Sequence, residues 1–296
     1  MNITDTEKRT DWFCKSKYGV FFHYLYDIES MKSFDAEAFA SNVSRTGAGY
    51  AVITLGQNSG IYCGPNITYE ALTGNEKGSK CFEGDIPMQV ANALKPYGIK
   101  LMLYLPSHPP SADNDASKAL GLDQKARPDW NMNDKTAKNW SLVIKDWSEH
   151  YGKNISGWWF DGFYPFIGMN NNHAKLYREA VLSGNSESIL ALNQGVVPTV
   201  YPANEYCDYT AGEFNEFEVL PEQRFTDGAQ WHVLSFLGKD WCDPSAKYDG
   251  DFLASYITKA NDKGGVVTVE MHIEPDGTFS SEQFDVMKHI CGKIRV

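Results

Sequence analysis

The chain has 296 residues, with 27 Lys and Arg against 38 Asp and Glu, giving a formal net charge of −11. That balance leaves no basic excess with which to displace counterions from phosphate, so nucleic acid and anionic membrane surfaces are poor partners. Hydrophobic residues make up 42% and mean hydropathy is −0.42, while the longest apolar run, residues 101–105, falls far short of the roughly 20 residues of a membrane helix.

The first ten residues carry Asp5, Glu7, Lys8 and Arg9 and no apolar signal core, so the chain reads as cytoplasmic, or as secreted or periplasmic after removal of a leader. Apolar runs bounded by turn signals then predict strands at 19–25, 50–56, 99–105, 157–161, 189–194, 208–213, 231–237 and 265–272. Helical patterns fall between most of them, at 35–45, 85–95, 134–150, 173–182, 249–260 and 281–291. Asp134 reads as a cap before the stripe Trp140, Val143, Ile144, Trp147. No helix is legible between strands five and six or between six and seven. Six scattered cysteines with no C-x-x-C pair are expected to be free thiols, and five N-x-S/T sequons matter only in a secretory pathway.

Strands alternating with helices, without a Gly-rich dinucleotide loop after the first strand, predict an α/β protein of the (β/α)8 TIM-barrel type. With no linker or composition break, residues 1–296 are expected to form a single domain. Long loops at 57–84 and 107–131 follow strands two and three and would overhang the C-terminal mouth, where such barrels keep their chemistry.

The polar residues near the predicted strand ends are therefore the candidates. They are His23, Gln57 and Asn58, His108, Asp161, Asn193 and Gln194, Glu213, His232, and Glu270 with His272. On the last strand Val267, Val269, Met271 and Ile273 make an apolar face for helices, so Glu270 and His272, of opposite parity, should point inward. A mouth ringed by carboxylates, histidines and aromatics suits glycoside hydrolysis, in which one carboxylate attacks or activates water and a second protonates the leaving oxygen. Aromatic faces, Trp159 among them, can stack on sugar rings.

KYGVFFHYLY at 17–26, FDAEAFA at 34–40 and GAGYAVIT at 47–54 resemble the opening of α-L-fucosidase-type glycoside hydrolases. GWWFDG at 157–162 is similar to the nucleophile strand of that family, and KGGVVTVEMHIEPDGTFSSEQ at 263–283 to its last barrel strand and the turn after it. The resemblance implies a retaining mechanism without metal or other cofactor, with Asp161 as nucleophile and a carbohydrate as substrate. It implies that His23 contacts sugar hydroxyls. DYTAGEFNEFE at 208–218 resembles the stretch that carries the acid/base in some members, which implies Glu213, with Glu216, Glu218 and Glu270 as competitors. The chain departs from the family after strand two, where two adjacent histidines are usual and GQNSG stands at 56–60. It departs again where Trp is usually followed by Glu and Trp231 is followed by His232.

The leading expectation is thus an exo-acting retaining glycosidase relying on Asp161 and a glutamate, on an α-L-fucoside or a related or decorated sugar, with Gln57, Asn58, Trp159, His232, Glu270 and His272 lining the sugar site. The alternative is a catalytically silent carbohydrate-binding barrel. A metal-dependent lyase or isomerase fits less well, since strands three, five and seven end in no carboxylate. Oligomeric state is not legible.

Overall fold

The computed structural model describes residues 3–122 and 131–294; part of the expected 107–131 loop lies outside them. Among these described residues seven parallel strands form one curled sheet. In chain order they are β1 (Tyr18–Phe22), β2 (Tyr50–Thr54), β3 (Lys100–Pro106), β4 (Ile155–Asp161), β5 (Ile189–Leu192), β8 (His232–Phe236) and β9 (Val266–Met271), with β6 (Phe225–Thr226) and β7 (Ala229–Gln230) forming a separate antiparallel pair. The order across the sheet is β5-β4-β3-β2-β1-β9-β8, so the first and last strands of the chain are neighbours, with Phe21 opposite Glu270.

Period 2 divides the buried residues into two layers. Val20, Phe22, Ile53, Leu103, Leu105, Trp158, Phe160, Val267 and Val269 face outward into the larger core. There they meet the helices α3 (Ala36–Arg45), α5 (Ile86–Leu94), α7 (Asp134–Tyr151), α8 (Asn171–Gly184), α9 (Gly250–Asn261) and α10 (Ser281–Lys293). Phe21, Tyr50, Val52, Met102, Tyr104, Trp159, Ala191, Leu234 and Val266 face inward as a second, smaller core. The inner face of β9 carries Thr268 and Glu270, as the parity argument requires.

Among the described residues four helices lie outside the expected set: α1 (Ile3–Ser16), α2 (Ile28–Met31), α4 (Ile67–Thr73) and α6 (Asn114–Leu120). In α1 the fully buried stripe is Thr6, Thr10 and Phe13. Its spacing is helical, but two threonines carry it, so a reading of hydrophobicity passes over it. Phe13 packs 4.8 Å from Tyr50, 4.9 Å from Tyr209 and 5.4 Å from His232, ring centre to ring centre, and so plugs the N-terminal end of the inner core. The cap of α7 is Asn133, whose side chain accepts from Thr136 N, one residue before the expected Asp134.

The expected sixth strand at 208–213 is not a regular strand. Asp208 N donates to Leu190 O at 2.8 Å on one side, while Leu234 N donates to Gly212 O at 2.8 Å and Phe214 N to Leu234 O at 3.0 Å on the other. Only isolated parallel bridges form, at Tyr209–Gln230 and Glu213–Leu234. Gly212 is the cause: its φ of +59° breaks the extended run, and a Cβ there would lie 2.0 Å from His232 O. The Thr210 hydroxyl fills the gap, accepting from His232 N at 2.8 Å and donating to His232 O at 2.7 Å. Asp208 itself is fully buried, bound by Arg178 of α8, by Arg9 of α1 at 2.5 Å and by Leu190 N at 3.1 Å. No helix among the described residues is long and apolar enough to cross a membrane. All six cysteines are free; Cys63, Cys81 and Cys207 are buried and Cys242 is exposed.

Candidate active site

A cleft of about 260 Å³ opens over the C-terminal ends of the strands, lined among others by His23, Gln57, Tyr104, Trp159, Asp161 and Glu213. Each of these arrives by local necessity. Asp161 ends β4 on the inward parity of Trp159, and Gly162 follows it at φ +71°, turning the chain so that Gly162 N donates to Asp161 Oδ1 at 2.8 Å. Tyr104 shares the inward parity of Met102 on β3 and stacks on Trp159, with ring centres 5.3 Å apart and planes at 18°. Its hydroxyl donates to Asp161 Oδ2 at 2.6 Å and accepts from Gln57 Nε2 at 2.9 Å.

Asn193, just past β5, holds two carboxylates with one nitrogen. Its Nδ2 donates to Asp161 Oδ1 at 2.9 Å and to Glu213 Oε2 at 2.6 Å. The two acceptor oxygens therefore lie no further apart than those lengths laid end to end, about 5.5 Å. Burial, and next the Asp161 charge, raise the Glu213 carboxyl above its ordinary value, against the opposing Asn193 hydrogen bond and the His23 charge. The pair is thus set up so that one carboxylate sits beside another that keeps its proton to higher pH.

His23 stands at the end of β1, its Nδ1 3.2 Å from Oε1 of the fully buried Glu270. Burial opposes the imidazolium, but the Cys242 and Glu270 side chains outweigh it and push His23 up to about 9. Tyr164 is pushed up to about 12 by burial and by the Asp161 and Glu213 charges.

The other expected site residues are distributed differently. Asn58 does not line the cleft: its Oδ1 accepts from Ser111 Oγ at 2.7 Å and its carbonyl from Ala112 N at 2.8 Å, so it ties down the following loop. His232 opens β8 instead of ending it, and so lies beneath the cleft. Its Nδ1 donates to Thr210 O at 2.8 Å, its Nε2 is 2.7 Å from Thr268 Oγ1, and burial pushes it down to about 4, leaving it neutral. His272 faces a neighbouring groove of about 150 Å³, with Nδ1 donating to Cys242 O and Nε2 3.0 Å from Glu274 Oε1. Of the competing acids, Glu216 is exposed and bound by Lys247 and Tyr248, which hold its carboxyl below the usual range, and Glu218 is exposed. Tyr104, Trp241 and Cys242 also line the cleft and were not singled out from the sequence. Inward parity on β3 marks Tyr104, whereas Trp241 and Cys242 sit in an aperiodic loop that offers no such signal.

No protein-family model matches the chain, and no curated protein sequence matches it. The fold is similar to that of the endo-fucoidan hydrolase MfFcnA4 from glycoside hydrolase family 107, with a TM-score of 0.76 at 14% identity over 98% of this chain and 54% of that one. It is similar to the endo-fucoidan hydrolase P5AFcnA from the same family, with a TM-score of 0.69 at 17% identity over 93% of this chain and 90% of that one. The alpha-L-fucosidase isoenzyme 1 from Paenibacillus thiaminolyticus gives 0.68 at 17% identity over 97% of this chain and 75% of that one. The chain thus spans about half the length of the first of these structures.

Proposed function

We propose that the chain is a retaining glycoside hydrolase that removes α-L-fucosyl or related residues, with Asp161 as nucleophile and Glu213 as acid/base, on a single (β/α)8-type domain whose ring is completed by the segment 208–214. The observation that carries the reading is the Asn193 amide shared by the two carboxylates, which keeps one oxygen of each within about 5.5 Å of the other. Retaining glycosidases hold their carboxyl groups about 5–5.5 Å apart, whereas inverting ones need about 6.5–9.5 Å to admit a water. The fucose specificity draws on the motifs at 17–26 and 157–162 and on the likeness in fold to fucosidases and fucoidan hydrolases.

In the first step Asp161 Oδ attacks the anomeric carbon, the glycosidic C–O bond breaks, and the Glu213 proton goes to the leaving oxygen. In the second, Glu213, now a carboxylate, takes a proton from water, the water oxygen bonds to the same carbon, and the bond from that carbon to Asp161 breaks. The environment supports those roles, because the raised Glu213 carboxyl keeps its proton to higher pH. Three donors, from Tyr104, Asn193 and Gly162, orient Asp161. His23 and Gln57 border the space the sugar would fill.

The test is proton NMR of the first product from a fucosylated oligosaccharide, with wild type and Asp161→Asn side by side. The expected result is α-L-fucose released before mutarotation, and a loss of several orders of magnitude in the variant with its fold intact. Initial release of the β anomer, or a variant keeping more than about a tenth of the activity, would overturn the assignment. Sugar binding without turnover on any fucoside would favour the silent carbohydrate-binding barrel.

A further inference from the structure

The groove of about 150 Å³ beside the cleft is lined by three side chains that the hydrolytic steps leave unused as a set, two of which, His23 and Cys242, also line the cleft. His23 comes from the end of β1, Glu270 from the inner face of β9, and Cys242 from the loop after β8. Their donor atoms all lie within 4.8 Å of one another. Two further observations single the cluster out. Glu270 is fully buried, and while its Oε1 accepts from Cys242 N at 3.0 Å and faces His23 Nδ1, its Oε2 is buried with no hydrogen-bond partner. A carboxylate oxygen left so is costly unless something neutralises it. Cys242 is held at φ +62°, a left-handed conformation uncommon for a residue with a Cβ. It is fixed there on both sides, by its N–H to Glu270 and by its carbonyl, which accepts from His272 Nδ1 at 2.8 Å. The backbone thus spends strain at the residue that presents an exposed thiol to the cluster.

We propose that Cys242, His23 and Glu270 form a binding site for a borderline-soft divalent cation of the zinc class, which blocks the cleft when occupied. The donor set of thiolate, imidazole and carboxylate suits Zn²⁺ and its softer analogue Cd²⁺, and disfavours Mg²⁺ and Ca²⁺, which prefer all-oxygen shells. Bond lengths of about 2.0–2.3 Å around a tetrahedral ion put ligand atoms roughly 3.3–3.8 Å apart. With no two ligand atoms more than 4.8 Å apart, the cluster has to close by no more than about 1–1.5 Å, which rotation of the exposed Cys242 side chain can supply. On binding, the thiol proton, and that of His23 where it is charged, pass to solvent, and the sulfur and nitrogen lone pairs form the bonds to the metal. A fourth position stays open toward the cleft for water, and the ion takes His23 away from any sugar. This role is inhibitory and separate from the hydrolytic steps proposed above, which assign no part to a metal.

Binding is read directly, so the outcome does not depend on the glycosidase reading. The full chain, stripped with chelator and kept reduced, is titrated with Cd²⁺ while the ultraviolet thiolate-to-cadmium charge-transfer band is followed, and Zn²⁺ is then added as competitor. A single saturable transition is expected, displaced by Zn²⁺. Cys242→Ser should lose the band, and both Cys242→Ser and His23→Gln should bind at least about 10-fold more weakly, with circular dichroism checking that each is folded. Absence of a saturable band in the wild type, or a band retained in Cys242→Ser, overturns the site. Undiminished affinity in a folded His23→Gln overturns it as well, since the metal then sits on a lone thiol.

Discussion

The Tyr104 hydroxyl donates a hydrogen bond to Asp161 Oδ2 across 2.6 Å, and burial with the neighbouring Asp161 charge holds that phenol well above its ordinary pKa, so the proton stays on the tyrosine. The bond fixes the carboxylate without neutralising it. Gln57 in turn donates to the same hydroxyl, so the loop after β2 and the end of β4 are joined through one oxygen.

Removing that oxygen should therefore affect turnover more than binding. Tyr104→Phe keeps the ring stacked on Trp159 and deletes one of three donors to Asp161. A hydrogen bond to a charged group contributes about 1.5–3 kcal/mol, and a slightly misplaced nucleophile loses rate steeply. The expected result is kcat lower by about 10- to 100-fold with KM within about 3-fold, measured on one fucosylated substrate. A tenfold rise in KM at constant kcat would instead assign Tyr104 to sugar binding.

As the proposed acid, Glu213 should set the alkaline side of the pH profile. Its carboxyl is raised above its ordinary value first by burial and then by the Asp161 charge, so the protonated acid persists below that raised pKa and is lost as pH rises through it. Asn193 pulls the other way by hydrogen-bonding the carboxylate form. Asn193→Ala should accordingly shift the alkaline limb of kcat/KM to higher pH, while Asp161→Asn should lower the Glu213 titration seen by carbon NMR. Glu213→Ala should cost about 10²- to 10⁴-fold on a sugar leaving group and much less on an activated aryl one, since the latter departs without a proton. Equal losses on both, or a limb that moves to lower pH in Asn193→Ala, would remove Glu213 from the acid role.

What could be read from the sequence follows what each signal measures. Alternation on β9 separates Val267, Val269 and Met271 from Glu270 without any structure, because a sheet packed by helices on one side demands it. The expected helical ranges begin at 35, 85 and 249, and Asp35, Asp85 and Asp249 cap the helices there. In α4 and α6 the signals are also present, with Asn66 and Asp113 as caps and Gly74 and Gly121 closing in the left-handed region, but the helices are a turn or two long and their apolar stripes too brief to register. His232 shows the limit of an apolar run: the run locates the strand, yet where the mouth lies along it is set by register with β9, where His232 pairs with Val266 at the strand start. The Asn193 bridge depends on a contact twenty residues away, and no local pattern encodes it.

Asp208 offers a test of the closing segment. It is fully buried, receives Arg178 and Arg9 from two helices, and takes the Leu190 N–H, joining α1, α8 and β5 to the 208–214 stretch. Deleting one partner of a buried ion pair leaves uncompensated charge and costs about 3–5 kcal/mol. Asp208→Asn keeps the shape and removes the charge, so urea unfolding should show a loss of about that size. A change under about 1 kcal/mol would mean that water reaches the two guanidinium groups.

The lining near Gln57 bears on the substrate. Where the resembled fucosidases carry two imidazoles, this chain carries Gln57 and Asn58, and only Gln57 borders the cleft, with one of its two amide N–H groups given to Tyr104. Gln57 Oε1 and the second N–H are then what that side chain has to offer, an acceptor and one donor. A site built to pair a hydroxyl discriminates by up to roughly 10⁴ to 10⁵ against a sugar that leaves its polar groups unpaired. Simple aryl α-L-fucosides should therefore be poor substrates, with kcat/KM below about 10⁴ M⁻¹s⁻¹. A substituted fucose or a decorated oligosaccharide that reaches the loops after β2 and β3 should be turned over faster. The comparison is one of kcat/KM between p-nitrophenyl α-L-fucoside and a panel of fucosylated or substituted oligosaccharides. Efficient hydrolysis of the plain aryl fucoside would mean that Gln57 shapes the loop and another group binds the same hydroxyls.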